Sequence, residues 1–169
     1  AEYQGKKCGA IADITTFSFH PVKHITTGEG GMVTTDDPEY AERMRRFRNH
    51  GLSADHLKRS KLGTWQYEMM DLGYNYRLTD FQCALGISQL KKLQGFLDRR
   101  KEIAARYDEA FARMSGIIPL SVSENVTHAY HLYVVRVIKK ECGRDRGQIF
   151  NALRNAGIGA NVHYIPVHL

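Results

Sequence analysis

Apolar positions change their spacing along this chain, and each change marks an element. From Ile11 to Phe19 (IADITTFSF) β-branched and aromatic residues crowd together. Met32 to Thr35 repeat that texture after the glycines of GEGG, so short strands are predicted on either side of a loop. Lys23 sits in that loop. Pro38 and the charged stretch to Phe47 predict a helix with proline in its first turn. From Arg48 to Tyr76 the chain is rich in Gly, His, Asn and Ser and reads as an unusually long connection, the kind that is usually functional or mobile.

Beyond it the period becomes helical. Phe81, Ala84, Leu85, Ile87, Leu90 and Leu93 recur on one face, with Thr79 or Asp80 placed to cap the start. The pattern resumes through Ile103, Ala104, Tyr107, Phe111 and Met114, with DRRKE exposed between. Gly86 and Gly95 weaken it, which predicts two helices or one bent helix. His128 to Ile138 (HAYHLYVVRVI) then predicts a strand, and Arg144 to Asn155 a helix closed by Gly157. Ile158 to Val167 predicts another strand. The expected division is a first α/β unit over residues 1–96 and a second, smaller one over 97–169. The chain opens at Ala1 rather than methionine and closes inside the strand-like NVHYIPVHL, so it is expected to belong to a longer one.

Composition narrows the class only a little. With 169 residues and 43% hydrophobic content the chain can bury one core, or contribute to two that other segments complete. No apolar run approaches the roughly 18 residues of a membrane span, and no secretory signal opens the chain; a soluble, cytoplasmic protein is expected. Cys8, Cys83 and Cys142 stand far apart without a CxxC pair and read as buried or incidental thiols. A net charge of +6 admits nucleic acid, anionic lipid or a nucleotide diphosphate as partner. The basic run from Arg43 to Gly51 (RMRRFRNHG) motivates a nucleic-acid-binding module, yet no recognition motif accompanies it.

Candidate chemistry concentrates in FSFHPVKHITTGEGG, Phe17 to Gly31, where serine, histidine, lysine, threonines and glutamate crowd a glycine-containing turn. A partly buried lysine loses its proton more readily, and the free amine attacks aldehydes. Ser18 can donate to a phosphate, and Gly28, Gly30 and Gly31 let backbone pass close to a ligand. Position alone also fits a surface lysine and a turn serine. The stretch contains neither a P-loop nor a dinucleotide fingerprint. In GYNYRLTD, Asn75 and Arg77 alternate with tyrosines, so an extended backbone presents an amide and a guanidinium on one side, suited to phosphate or carboxylate. A turn at Asn75 and an Arg77–Asp80 pair fit the same residues. In VHYIPVHL, strand alternation sends His163 and Tyr164 to opposite faces, and no acid or thiol joins them or His168 at metal-ligand spacing. His128 and His131 read as ordinary strand histidines, and His50 in RNHG is a weaker candidate.

Taken together, FSFHPVKHITTGEGGMV, RNHG, GYNYRLTDFQCALGISQLKKL and VHYIPV resemble, in order and spacing, the sugar aminotransferases of the DegT/DnrJ/EryC1/StrS family across almost the whole chain. The resemblance implies an α/β fold of the PLP-dependent transferase type I, aspartate aminotransferase-like. Its large domain holds a mostly parallel sheet, and residues 1–96 would supply the end of it. Residues 97–169 would supply part of a small α/β domain. It also implies that Lys23 holds pyridoxal 5′-phosphate, that Ser18 binds the cofactor phosphate, and that Asn75 reaches the phosphate held by the other subunit of a homodimer. His20, Arg77, His163 and Tyr164 would lie close to substrate.

Some relatives carry histidine in place of the lysine and act as dehydratases, so Lys23 implies transamination. Lys23 would anchor the cofactor and, once released, move protons as an amino group passes from L-glutamate to a sugar ketone in ping-pong order. WQYEMMDLGYNYRLTD together with HYIPVHL looks most like members that aminate C4 of UDP-4-keto-6-deoxy-N-acetylhexosamines on the way to pseudaminic acid. Cousins acting on UDP-4-keto-arabinose or GDP- and dTDP-sugars share nearly all these residues. The family's aspartate that pairs with the pyridine nitrogen would lie before Ala1, because Asp13 is too near Lys23 to take that place. Residues 1–169 alone are therefore expected to show no glutamate-dependent transamination. Robust turnover by that polypeptide in a 2-oxoglutarate release assay would contradict the reading.

Overall fold

The computed structural model describes residues 1–168, apart from the side chain of His56. In chain order the first elements are β1 (Glu2–Tyr3), β2 (Lys6–Lys7), β3 (Thr15–Ser18), β4 (Gly31–Thr34), α1 (Pro38–Phe47) and α2 (His56–Leu62). There follow α3 (Asp80–Phe111), β5 (Ile117–Pro119), β6 (Val126–Thr127), β7 (Val135–Val137), α4 (Lys139–Cys142) and α5 (Arg146–Asn155). They divide into two compact units. The first comprises Ala1–Asp98 with Ser123–His131, and the second Arg99–Val122 with Leu132–Leu169. The ladders among the described residues are antiparallel: β2-β1-β6, β3-β4 and β5-β7.

In the first unit, β3 and β4 pair from Thr15 opposite Thr34 to Ser18 opposite Gly31, which brings the two ends of the Lys23 loop side by side. The predicted strand from Ile11 is shorter than its composition suggested. Cys8–Ala10 form a 3-10 turn ahead of it, and the chain does not enter the ladder until Thr15. Helix α1 runs over the predicted residues, its first turn capped by Asp37 Oδ1, which accepts from the amides of Glu39 (2.7 Å) and Tyr40 (3.2 Å). The long connection after it contains α2, capped by Asp55 and stopped by Gly63 at φ 64.

That connection is held by backbone meeting backbone. The Met70 amide donates to the Gly51 carbonyl at 2.8 Å, His50 to Tyr74 at 2.9 Å, Tyr74 to Phe47 at 2.7 Å and Tyr76 to Arg48 at 3.0 Å. Gly51 has φ 71, and a Cβ there would sit 1.7 Å from the Asp71 carbonyl oxygen; one on Gly73 would sit 2.2 Å from the Gly51 amide nitrogen. Only glycine at both positions permits this approach.

Helix α3 is one uninterrupted helix of 32 residues, not two. Each glycine costs about 1 kcal/mol against alanine, which a helix of that length absorbs. Its exposed middle is laced by Gln94 donating to Asp98 (2.8 Å) and by Arg99 with Glu102 (2.5 Å). The hydrogen bond and charge of Arg99 hold the Glu102 carboxyl below its ordinary range. Of the two possible caps, Thr79 serves. Its hydroxyl accepts from the Gln82 amide (3.3 Å) while Gln82 Oε1 accepts from the Thr79 amide (2.9 Å), a reciprocal capping box.

In the second unit, β5 pairs with β7, and Tyr107, Phe111 and Tyr133 cluster, with ring centroids 5.0 Å apart for Tyr107 and Tyr133. The Tyr133 hydroxyl donates to Asp108 Oδ1 at 2.5 Å. Helix α5 starts on an Asp145–Gln148 capping box, and Gly157 follows it at φ 78 as expected. Two predicted strands are corrected. His128 to Ile138 is not continuous strand: β6 ends at Thr127, Tyr130 turns to φ 47, and pairing resumes only at Val135. Ile158 to Val167 joins no ladder among the described residues, and the Ala160 amide folds back on the Ile158 carbonyl at 2.8 Å.

Apolar burial is scarce in this chain. Ala104, at 2% exposure, is the buried apolar side chain among the described residues, while Leu72, Trp65 and Phe81 are 75%, 81% and 90% exposed. Each such side chain forgoes roughly 1.5–3 kcal/mol of burial. Backbone hydrogen bonds and close glycine contacts fix the long connection after α1. Gly51→Ala should cost roughly 2–5 kcal/mol, from a left-handed φ and a steric overlap. Gly63→Ala, at a similar φ but with nothing within 4 Å, should cost only about 1–2 kcal/mol. Urea denaturation midpoints of the two variants check the difference.

Candidate active site

The Lys23 loop is a closed turn on the end of the β3-β4 pair. Pro21 occupies the second position of a turn in which the Lys23 amide donates to the His20 carbonyl at 3.0 Å, a place where proline's fixed φ fits. At the base, the Phe19 carbonyl accepts from the Thr27 amide (3.1 Å) and the Thr26 hydroxyl (2.9 Å), and the Phe19 amide donates to the Gly30 carbonyl (2.9 Å). The flanking histidines hold the sides. His20 Nδ1 accepts from the Val22 amide (3.3 Å), and His24 Nε2 donates to the Ala129 carbonyl (2.7 Å). His20 Nε2 lies 3.9 Å from Glu29 Oε1, so a protonated imidazole there faces a carboxylate.

Lys23 is half-buried, and no hydrogen bond or ion pair engages its Nζ among the described residues. Ser18 Oγ accepts from the His20 amide at 3.3 Å, which leaves its hydroxyl proton available to an anion. Thr27 is 4% exposed, and its hydroxyl donates to the Glu29 carbonyl at 2.7 Å. Gly30, at φ 146, lies so close to Thr27 and Leu78 that a Cβ would stand 2.6 Å from Thr27 Oγ1 and 2.7 Å from Leu78 Cδ2.

In GYNYR the alternation expected from the sequence is present on the tyrosine side: Tyr74 and Tyr76 stack at 5.1 Å and 5°, with Phe47 edge-on to both. Asn75 bridges to Asn49 through the backbone, and Arg77 Nη1 donates to Asn49 Oδ1 at 2.7 Å. Arg77 is thus held by an amide and not by Asp80. Among the described residues no carboxylate forms an ion pair with it, and its guanidinium has further N–H groups beyond the one on Asn49. Both Asn75 and Arg77 are exposed.

His163 and Tyr164 belong to the second unit, where the chain is not strand; their rings lie 4.4 Å apart instead of on opposite faces. No group of three or more His, Cys, Asp or Glu among the described residues is placed to hold a metal. The thiols are free. Cys8 and Cys83 are exposed rather than buried, and Cys142 is half-buried. In the basic run Arg45 lies 3.9 Å from Glu42 and Arg46 lies 3.9 Å from Asp71. No helix of the described residues is long and apolar enough to cross a membrane. Sequence reasoning assigned no specific role to Asn49 or Gln82, and it placed Thr27 in the crowded turn without showing that it is buried. Only Gln82 left a signal, the T-x-x-Q spacing of a capping box with Thr79.

The DegT/DnrJ/EryC1/StrS aminotransferase family matches residues 1–169, and the chain belongs to it. A UDP-4-amino-4,6-dideoxy-N-acetyl-beta-L-altrosamine transaminase of Campylobacter jejuni is 40% identical over 99% of this chain. Among solved structures, a putative sugar aminotransferase from Streptococcus pneumoniae, Spr1654 in its PMP-form, superposes with TM-score 0.85 and 39% identity over 98% of the chain. PseC of Helicobacter pylori, an aminotransferase involved in pseudoaminic acid biosynthesis, gives TM-score 0.86 and 37% identity over 99%. The fold is therefore the α/β fold of PLP-dependent sugar aminotransferases, as the sequence implied. The chain spans 43% of the length of each of these relatives.

The family's cofactor is pyridoxal phosphate, and the residues of the Lys23 turn fit it. An aldehyde requires an amine without a counter-ion, which Lys23 offers. A phosphate requires neutral or cationic donors, which the Ser18 hydroxyl and nearby backbone offer. At position 30 the Thr27 hydroxyl and Leu78 fill the space that a Cβ would take, so glycine is what fits at the turn's base.

Proposed function

We propose that this chain carries the lysine and part of the phosphate site of a PLP-dependent aminotransferase, with Lys23 as the anchoring residue. Residues 1–96 would be the end of the large cofactor domain, and residues 97–169 part of the small domain. The observation that carries the reading is the half-buried amine of Lys23, unpaired among the described residues, on a turn closed at its base by Phe19 and Thr27. When bound, pyridoxal phosphate supplies an electron sink for negative charge on the carbon bearing the amino group. The chain's own residues do the rest. Lys23 Nζ would take the proton from that carbon as free amine and, as ammonium, hand it on to the cofactor rather than back to the same carbon, which is the shift that an amino transfer needs. The Ser18 hydroxyl donates to the phosphate, and Arg77, held by Asn49, offers its remaining N–H groups to an anionic group of the substrate.

The acceptor is a nucleotide-linked 4-keto sugar, UDP-4-keto-6-deoxy-N-acetylhexosamine first, with L-glutamate as amino donor. The activity of the Campylobacter relative and the pathway of the Helicobacter aminotransferase support this choice. The net charge of +6 suits a nucleotide diphosphate. A homodimer with shared sites, to which Asn75 contributes across the interface, would cover the apolar side chains left open at Trp65, Met69, Leu72 and Phe81. The parts of His20, His163 and Tyr164 near substrate rest on family resemblance. A cytoplasmic location fits nucleotide-sugar substrates.

In the full-length protein, Lys23→Ala should abolish the cofactor's lysine-dependent visible absorbance band and lower kcat by about 10²–10⁴-fold. A band that persists in the variant would remove Lys23 from the site. Arg77→Ala should raise KM for the nucleotide sugar about tenfold or more while leaving KM for glutamate within about twofold, since it deletes a charged contact to one substrate. Steady-state kinetics with each substrate varied in turn decide this.

A further inference from the structure

We propose that Gln82 is a positioning residue for the Lys23 turn, its side-chain amide joining the first turn of α3 to the Glu29 carbonyl. The orientation of that amide is fixed by chemistry. Its Oε1 faces the Thr79 amide N–H at 2.9 Å and the Thr79 hydroxyl at 3.1 Å. A backbone N–H can only donate, so the oxygen must be on that side. The Nε2 then points at the Glu29 carbonyl, 2.9 Å away, which can only accept.

Glu29 is no ordinary acceptor in this loop. Its carbonyl also takes the Thr27 hydroxyl at 2.7 Å, and Thr27 is the buried residue whose amide closes the turn on Phe19. Gln82 therefore reaches the base of the Lys23 turn through a short chain of hydrogen bonds: Gln82 to Glu29, Thr27 to Glu29, Thr27 to Phe19. The helix face is shaped for it. Gly86, one turn on from Gln82 and on the same face, lies against Thr27, whose Cγ2 would stand 3.0 Å from a Cβ there. Leu78, just before the cap, packs on Gly30. Because α3 begins where GYNYR ends, the joint fixes the Lys23 turn relative to the segment bearing Asn75 and Arg77.

Two roles of one amide can be separated by substitution. Gln82→Glu keeps an oxygen for the capping box, where glutamate is as common as glutamine, but sets a carboxylate oxygen against the Glu29 carbonyl. Thr79→Ala weakens the cap and leaves the bond to Glu29 intact. The consequence for the cofactor rests on the function proposed above; the joint itself does not.

Both variants, with wild type and Lys23→Ala, are made in the full-length protein. Amide hydrogen exchange is read on the cofactor-free form, and the absorbance titration uses pyridoxal phosphate itself. Gln82→Glu should speed exchange across residues 19–31 about five- to tenfold, the scale of one lost hydrogen bond, without changing exchange in α1. It should also weaken pyridoxal phosphate binding about tenfold and shift the pH midpoint of the lysine-dependent band. Thr79→Ala should leave all three within about twofold. Unchanged exchange across 19–31 in Gln82→Glu, or equal effects from both variants, overturns the joint. A band that survives in Lys23→Ala overturns the cofactor reading and the binding half of this proposal with it.

Discussion

The Glu29 carbonyl accepts two hydrogen bonds, from the Thr27 hydroxyl and the Gln82 amide, and the turn that presents Lys23 is built on this point. Thr27 then closes the turn on Phe19, and the antiparallel register of β3 and β4 delivers both ends of the loop to the same place. A lysine on such a turn has its backbone fixed while its side chain stays free. That combination is what a covalent anchor needs: a defined position for Nζ and no competing partner.

Within the 43% of its relatives' length that this chain spans, the loops are held visibly by hydrogen bonds, and Ala104 is the buried apolar side chain among the described residues. The chain uses local devices: capping boxes at Thr79–Gln82 and Asp145–Gln148, an aspartate cap at Asp37, and glycines that let peptide groups meet at Gly51 and Gly73. The large apolar side chains that remain open, Phe81 foremost, are the counterpart. They are surface that the rest of a longer chain or the proposed dimer would cover.

The site divides its tasks between backbone and side chains in a consistent way. Asn49 shows it most clearly: its backbone bridges to the Asn75 backbone and its side chain holds the Arg77 guanidinium, so one residue of RNHG ties down GYNYR at two points. An amide partner steadies the guanidinium without neutralising it, which a carboxylate such as Asp80 would have done. The positive charge is thereby kept for an anion.

The sequence by itself determined the elements with strong local signals. Asp37 and Pro38 started α1, helical period carried α3, and the motif around Lys23 named the family and its cofactor before any coordinates. Those features are set by neighbours in the chain: caps, periodicity and turn residues act within a few positions. It overreached at His128 to Ile138 and Ile158 to Val167, since β-branched and aromatic content shows that a segment could pair but not that a partner stands beside it. Only the tertiary structure decided that Arg77 is held by Asn49, that Thr27 is buried, and that Gln82 reaches across 53 positions to Glu29. Contacts at such separation depend on where the whole backbone travels, and no local pattern of residues encodes that path.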